Sequence, residues 1–184
     1  MTTHLFVERP FDPPLQPADV MAMAAEATDC FDIHRVRWHL SMLCNDGRRM
    51  LCWFSAADAE STRIAMRHSG LESAVAWRGT IHDAPNIDPQ EILHANVLVE
   101  RRFDEPLELQ KIQDIEDAGW RCLKIRRVRF LRTYFALDQK RMICLYAAPD
   151  AESVRQAQRE AGVPFEDAWA FGLLGPADPV DVSC

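Results

Sequence analysis

From Arg35 to Met42 the chain alternates strictly: Val36, Trp38, Leu40 and Met42 are apolar, while Arg35, Arg37, His39 and Ser41 are polar. A period of two is the mark of a half-buried strand. The sequence NDG at positions 45–47 follows, then RMLCWF, which predicts a hairpin whose turn accepts positive φ at Gly47. Upstream, LFVERPF is short, rich in β-formers and stopped by Pro10, Pro13, Pro14 and Pro17, as expected of a first strand. Val20, Met23, Ala27 and Cys30 are then spaced 3, 4 and 3, which draws one apolar stripe along a helix. Asp58 is placed to cap a second helix, Glu60 suits its first turn, and Gly70 its end. AVAWRGTI supplies a fourth strand.

The same pattern is written twice. RRMLCWFSAADAESTRIAMRHSG, from Arg48 to Gly70, returns as KRMICLYAAPDAESVRQAQREAG, from Lys140 to Gly162. The offset is 150 − 58 = 92 positions, from the two aspartates Asp58 and Asp150. It aligns Val7–Trp77 with Val99–Trp169 without a gap, at roughly one-third identity, which marks duplication of one structural unit. Ile112, Ile115, Gly119 and Cys122 repeat the helical stripe. Each copy therefore reads strand, helix, strand, strand, helix, strand. The expected fold class is α+β: two tandem ferredoxin-like (βαββαβ) modules forming a pseudo-twofold, dimeric α/β-barrel-like unit. The expected boundaries are 1–81 for the first module, 82–95 for a linker with two prolines, 96–174 for the second module and 175–184 for a flexible tail. A module of this size buries only about 60–65% of its unfolded surface, and its sheet has one face without helices. A fused second copy can cover that face, with a ligand site expected between the two sheets.

Composition narrows the function. The 184 residues are 48% hydrophobic and 27% charged, enough to bury a core. A net charge of −7 argues against nucleic-acid or acidic-membrane partners, which require a surplus of Lys and Arg. RMLCWF and RMICLY also lack the glycine and aromatic spacing of the RNA-recognition module. With no leader pattern and no apolar run of membrane length, the expected location is cytoplasmic. The six cysteines, Cys30, Cys44, Cys52, Cys122, Cys144 and Cys184, include no CxxC pair and read as buried thiols, except Cys184, exposed in the tail ADPVDVSC. GxSxG, P-loop, HExxH and dinucleotide-binding patterns are absent.

Three sets of residues carry candidate chemistry. Glu8 and Glu100 recur on the first strand of each copy, each followed by an arginine. Such a carboxylate can serve as general base or ligand contact, or equally as half of a structural ion pair. Arg132 and Tyr134 share strand parity with Val128 and Phe130, so an arginine on an apolar face can clamp an anion that the phenol orients. Arg127 and Arg129 instead read as the charged defence of an edge strand. His4, at the start of the first strand, and His82 with Asp83, after the fourth, offer a His, His, Asp set for a borderline divalent metal. Histidines near strand ends more commonly have no ligand at all. Trp38, Trp53, Trp77 and Trp169 fall on strands and read as core.

At VERPF, at RFLRTY and above all at RMICLYAAPDAESVRQAQREAGVPFEDAW, the chain resembles a bacterial family of small ferredoxin-like domains. The family is of largely unknown function and includes a nickel-responsive, nickel-binding member. The likeness spans the chain as two tandem copies, the second being the closer. It implies binding of nickel or another divalent transition metal. Metal-binding members carry a histidine in a WLHSY-like second strand; here that position is Leu40 or Arg132, and the histidine is displaced to His39. Neighbouring strand residues point to opposite faces, so His39 is no direct replacement. The leading expectation is a metal-binding or small-ligand-binding protein. A cofactor-independent oxygenase or isomerase of the dimeric α/β-barrel type, acting on an anionic small molecule with Glu8 or Glu100 as base, is the alternative. A third reading is an assembly module that forms homo-oligomers.

Overall fold

A computed structural model describes residues 2–70 and 75–176, with the side chains of 115 and 116 left aside. The tail thiol Cys184 lies outside the described residues. In chain order the elements are β1 (Thr3–Pro10), α1 (Pro17–Ile33), β2 (Arg37–Cys44), β3 (Arg49–Ala56), α2 (Ala59–His68) and β4 (Val75–Asp83). A short 3-10 helix, Pro89–His94, leads to β5 (Val97–Arg102), α3 (Leu109–Ala118), α4 (Trp120–Ile125), β6 (Arg129–Ala136), β7 (Arg141–Ala147), α5 (Ala151–Ala161) and β8 (Asp167–Leu174). Among the described residues, no helix is long and apolar enough to cross a membrane.

The strands hydrogen-bond in the order β1-β3-β2-β8-β5-β7-β6-β4 and close as a barrel. The paired registers are antiparallel. This corrects the expected architecture of two tandem ferredoxin-like modules in a barrel-like unit: the eight strands form one closed antiparallel barrel. β2 and β6, the presumed edges, are followed in the sheet by β8 and β4. An edge strand presents a row of unpaired N–H and C=O groups, and closure removes that liability outright. Arg127 and Arg129 therefore do not guard an edge: Arg127 takes a left-handed turn with φ 56° before β6, and Arg129 pairs with Glu91 of the 3-10 helix.

Two compact units divide the described residues: residues 2–70, 75–79 and 172–176 form unit 1, and Thr80–Phe171 form unit 2. In unit 1, Val20, Ala27 and Phe31 of α1 and Ala65 and Met66 of α2 pack on Val7, Cys52 and Phe54 of the sheet. In unit 2, Ile112 of α3 and Val154 and Ala157 of α5 pack on Val97, Val99, Cys144, Tyr146 and Ala168. The α1 stripe is rotated from the expected one. Phe31, one turn beyond Ala27, is buried, whereas Met23 and Cys30 are half-buried. In the matching stretch 92 positions on, the helix is broken at Gly119, which adopts φ −85° and ψ 3°. The first copy has Ala27 there, a residue favoured over glycine in a helix by about 1 kcal/mol.

One irregularity redirects the middle of each second strand. Trp38 pairs with Phe54 but Leu40 with Trp53, leaving His39 as an extra residue; Phe130 pairs with Tyr146 but Arg132 with Leu145, leaving Leu131. A bulge of one residue inverts the parity beyond it. Trp38 and Phe130 lie against the helices, while Leu40 and Arg132 point to the other face of the sheet. The expected sharing of a face by Arg132, Tyr134, Val128 and Phe130 is thus corrected.

The β2–β3 turn sets the other local constraint. Gly47 has φ 70°, and a Cβ placed on it would meet the carbonyl oxygen of Leu15 at 2.2 Å. Leu15 N–H donates to the Gly47 carbonyl at 2.9 Å, so the two backbones are held together. Gly47→Ala is expected to lower stability by about 1–3 kcal/mol through strain and collision, read as a shift in urea midpoint with an unchanged slope. A midpoint equal to that of the parent would show the turn to be tolerant.

Candidate functional site

A wholly buried arginine of unit 2 marks the candidate site. Arg132, on β6, has no exposed side-chain surface, and its guanidinium is gripped by Asp83 at the end of β4. Nε donates to Oδ1 at 2.5 Å and Nη2 to Oδ2 at 2.8 Å. This fork-on-fork geometry gives the pair two parallel charge-assisted hydrogen bonds and fixes the plane of the guanidinium. Asp83 keeps 27% of its side chain exposed, so one member of the pair still reaches solvent. The sequence assigned Arg132 to an anion and Asp83 to a metal; the structure brings the two together.

On the same sheet face, Tyr134 follows two residues after Arg132 and is completely buried. Glu100 of β5 accepts a hydrogen bond from the Trp169 indole of β8 at 2.6 Å. In unit 1, Glu8 accepts one from Trp77 at 2.8 Å. Both pairs are separated by 69 positions. The tryptophans expected to be core filler thus orient the two candidate carboxylates. Glu and Trp recur at the same separation in both halves of the sequence, which is the signal that marks these pairs.

The candidate metal residues are dispersed by strand geometry. His82 Nε2 and Thr80 Oγ1 lie 2.7 Å apart on one side of β4, and Asp83, the next residue, points the other way. Burial pushes the His82 imidazole below its ordinary value, an effect Asp83 partly counters. His4 Nδ1 accepts from the Trp53 indole at 3.1 Å. Trp53 stacks on His39, with centroids 4.1 Å apart, and His39 Nε2 meets Ser55 Oγ at 2.7 Å. His39 is therefore a bulge residue stacked and hydrogen-bonded within unit 1.

Behind each sheet, on the helix side, sits a thiol with a hydroxyl partner. Ser41 donates to Cys52 Sγ at 2.9 Å, and Thr133 Oγ1 lies 3.3 Å from Cys144 Sγ. In unit 2 the buried Arg101 bonds to Cys144 at 3.0 Å and to Gln158 at 2.7 Å, and Gln158 reaches the Tyr146 hydroxyl at 3.0 Å. The first copy has Met66 in place of Gln158 and Phe54 in place of Tyr146, and a cavity of about 40 Å³ opens there beside Arg9. Burial pushes the Cys52 thiol up to about 11, so it stays protonated at neutral pH and is a packing group rather than a nucleophile.

Against known proteins, residues 98–170 match the family described as nickel responsive protein SCO4226-like. That stretch contains Glu100, Arg132, Tyr134 and Trp169. No curated protein matches the chain. Among solved structures, the chlorite dismutase of Candidatus Nitrospira defluvii in complex with imidazole is 11% identical with a TM-score of 0.53, over 96% of this chain and 92% of that one. A further chlorite dismutase-type protein is 12% identical with a TM-score of 0.51, over 95% of each chain. The fold is accordingly of the chlorite dismutase-like, dimeric α/β-barrel type. For nickel, implied by the family description, the described residues offer no cluster of three or more His, Cys, Asp or Glu ligands. Both oxygens of Asp83 are already engaged by Arg132.

Trp169→Phe substitutes a smaller aromatic ring and removes the N–H that holds Glu100. A loss of about 1.5–3 kcal/mol in urea unfolding is expected, the range for a hydrogen bond to a charged group. An unchanged stability would mean that the indole does not support the carboxylate.

Proposed function

We propose that this chain is a binding protein for a small carboxylate-bearing molecule, held on the face of the unit 2 sheet that carries Arg132, Tyr134 and Glu100. One observation carries the reading: a wholly buried arginine is engaged in a two-point grip by a carboxylate that itself remains partly exposed. Burying a guanidinium is costly unless its donors are met, so the position is built around a carboxylate. Asp83 is an internal carboxylate that a ligand's own carboxylate can replace in the same fork. The phenol of Tyr134 and the Glu100–Trp169 pair lie on that face to orient the rest of the molecule. In unit 1, Leu40 and Met42 occupy the places of Arg132 and Tyr134, so the proposed site belongs to the second copy alone. Glu8, held by Trp77 in unit 1, is not part of that site.

The family description favours a second reading, in which the ligand is nickel. The two separate by titration calorimetry of the full chain with acetate, benzoate and nickel chloride. Carboxylate binding is expected to weaken at least tenfold in Arg132→Met and to strengthen at least threefold in Asp83→Asn, where the competing internal carboxylate is neutralised. Carboxylate binding indifferent to both substitutions would overturn the proposal. Nickel binding with no carboxylate binding would put the metal reading in its place.

A further inference from the structure

Unit 1 contains a histidine pair that neither the fold nor the proposed carboxylate site uses. His34 forms the C-cap of α1, and His68 lies in the last turn of α2. His34 Nε2 and His68 Nδ1 are 3.4 Å apart, with ring centroids at 5.4 Å and an interplanar angle of 49°. His34 is half-buried and His68 exposed, so the rings are accessible from solvent.

The duplication shows what this position does elsewhere. The residues 92 positions on are Arg126 and Glu160, and in unit 2 they form an ion pair between α4 and α5. Arg126 Nε donates to Glu160 Oε2 at 3.1 Å, and Nη2 donates to Oε1 at 2.5 Å. The position is therefore a clasp between two helices, closed in unit 2 by opposite charges. Unit 1 replaces both charges with imidazoles, which attract each other weakly when neutral and repel when protonated. A clasp of two imidazoles is closed most strongly by a cation that takes a lone pair from each.

Distance and field both suit such a cation. Two nitrogens bound to one tetrahedral zinc at ~2.05 Å lie ~3.3 Å apart, close to the observed separation. Both histidines also sit at helix C-termini, where the partial negative charge of the exposed carbonyls favours a cation. Neutral imidazole suits divalent ions of borderline softness, with zinc and copper preferred over magnesium and calcium. The geometry points to His34 and His68 as a two-point chelating site for a zinc-class divalent cation, completed by water, that clasps the C-terminal ends of α1 and α2. This site is independent of Arg132 and Asp83.

Zinc titration of the full chain tests it, with H34R/H68E as the decisive variant. That double substitution installs the unit 2 ion pair in unit 1, so it retains a clasp and guards against loss of fold. The parent is expected to bind one zinc ion per chain at this site and to gain thermal stability on binding. In H34R/H68E the affinity should fall at least tenfold and the zinc-dependent rise in Tm should vanish, while the melting temperature without zinc stays at or above that of the parent. Arg132→Met should bind zinc as the parent does, which separates this outcome from the carboxylate reading. Equal zinc affinity in the parent and H34R/H68E, or no zinc binding by the parent, would overturn the inference.

Discussion

A guanidinium without exposed surface is among the most demanding groups a fold can contain, and in this chain Arg132 is answered by Asp83. The cost of removing the charge from water is met only while both donors face a carboxylate. That requirement ties the middle of β6 to the end of β4, and it brings the two in register along one sheet. The bulge at Leu131 is what makes the pairing available. Without the extra residue, Arg132 would turn toward the helices, where Val128 and Phe130 lie, and would meet apolar side chains instead of Asp83.

The polar chemistry of the two halves of the chain is uneven. The two copies share their framework: the Glu–Trp pairs, the cysteines behind the sheet, the aspartate caps and the bulges. They differ where side chains meet a partner. Arg132, Tyr134, Tyr146 and Gln158 in the second copy stand where the first has Leu40, Met42, Phe54 and Met66. Each exchange adds a hydrogen-bonding group to a buried place, and buried polar groups are retained only where partners satisfy them. In the second half Arg132 faces Asp83, and Arg101, Gln158 and Tyr146 form one hydrogen-bonded network. The first copy lacks the matching side chains and keeps an apolar cavity beside Arg9.

Much of the local structure was legible in the sequence. Asp58 and Asp150 cap α2 and α5 by accepting from the backbone N–H of Ser61 and Ser153, at 2.8 and 2.7 Å. Gly47 takes the positive φ that the NDG turn requires, and Gly162 ends α5 in the left-handed conformation. These features are local, set within a few residues of chain. What escaped depends on contacts distant in sequence. Period-two counting cannot register a bulge, because the extra residue shows only against its partner strand. That the strands form one barrel instead of two modules depends on similarly distant contacts: β2 and β6 look like edges until β8 and β4 are placed beside them. Arg132 and Asp83 were each marked as candidates, but 49 positions separate them, and no pattern in either strand announces the pair.

The central claim is that Arg132 and Asp83 act as one unit whose members depend on each other. A double-mutant cycle with Asp83→Asn, Arg132→Met and the pair together, measured by urea unfolding, tests it most directly. The account predicts a coupling of at least about 2 kcal/mol, with the double variant more stable than the sum of the single losses implies. A coupling below about 0.5 kcal/mol would contradict it, since the two residues would then contribute independently.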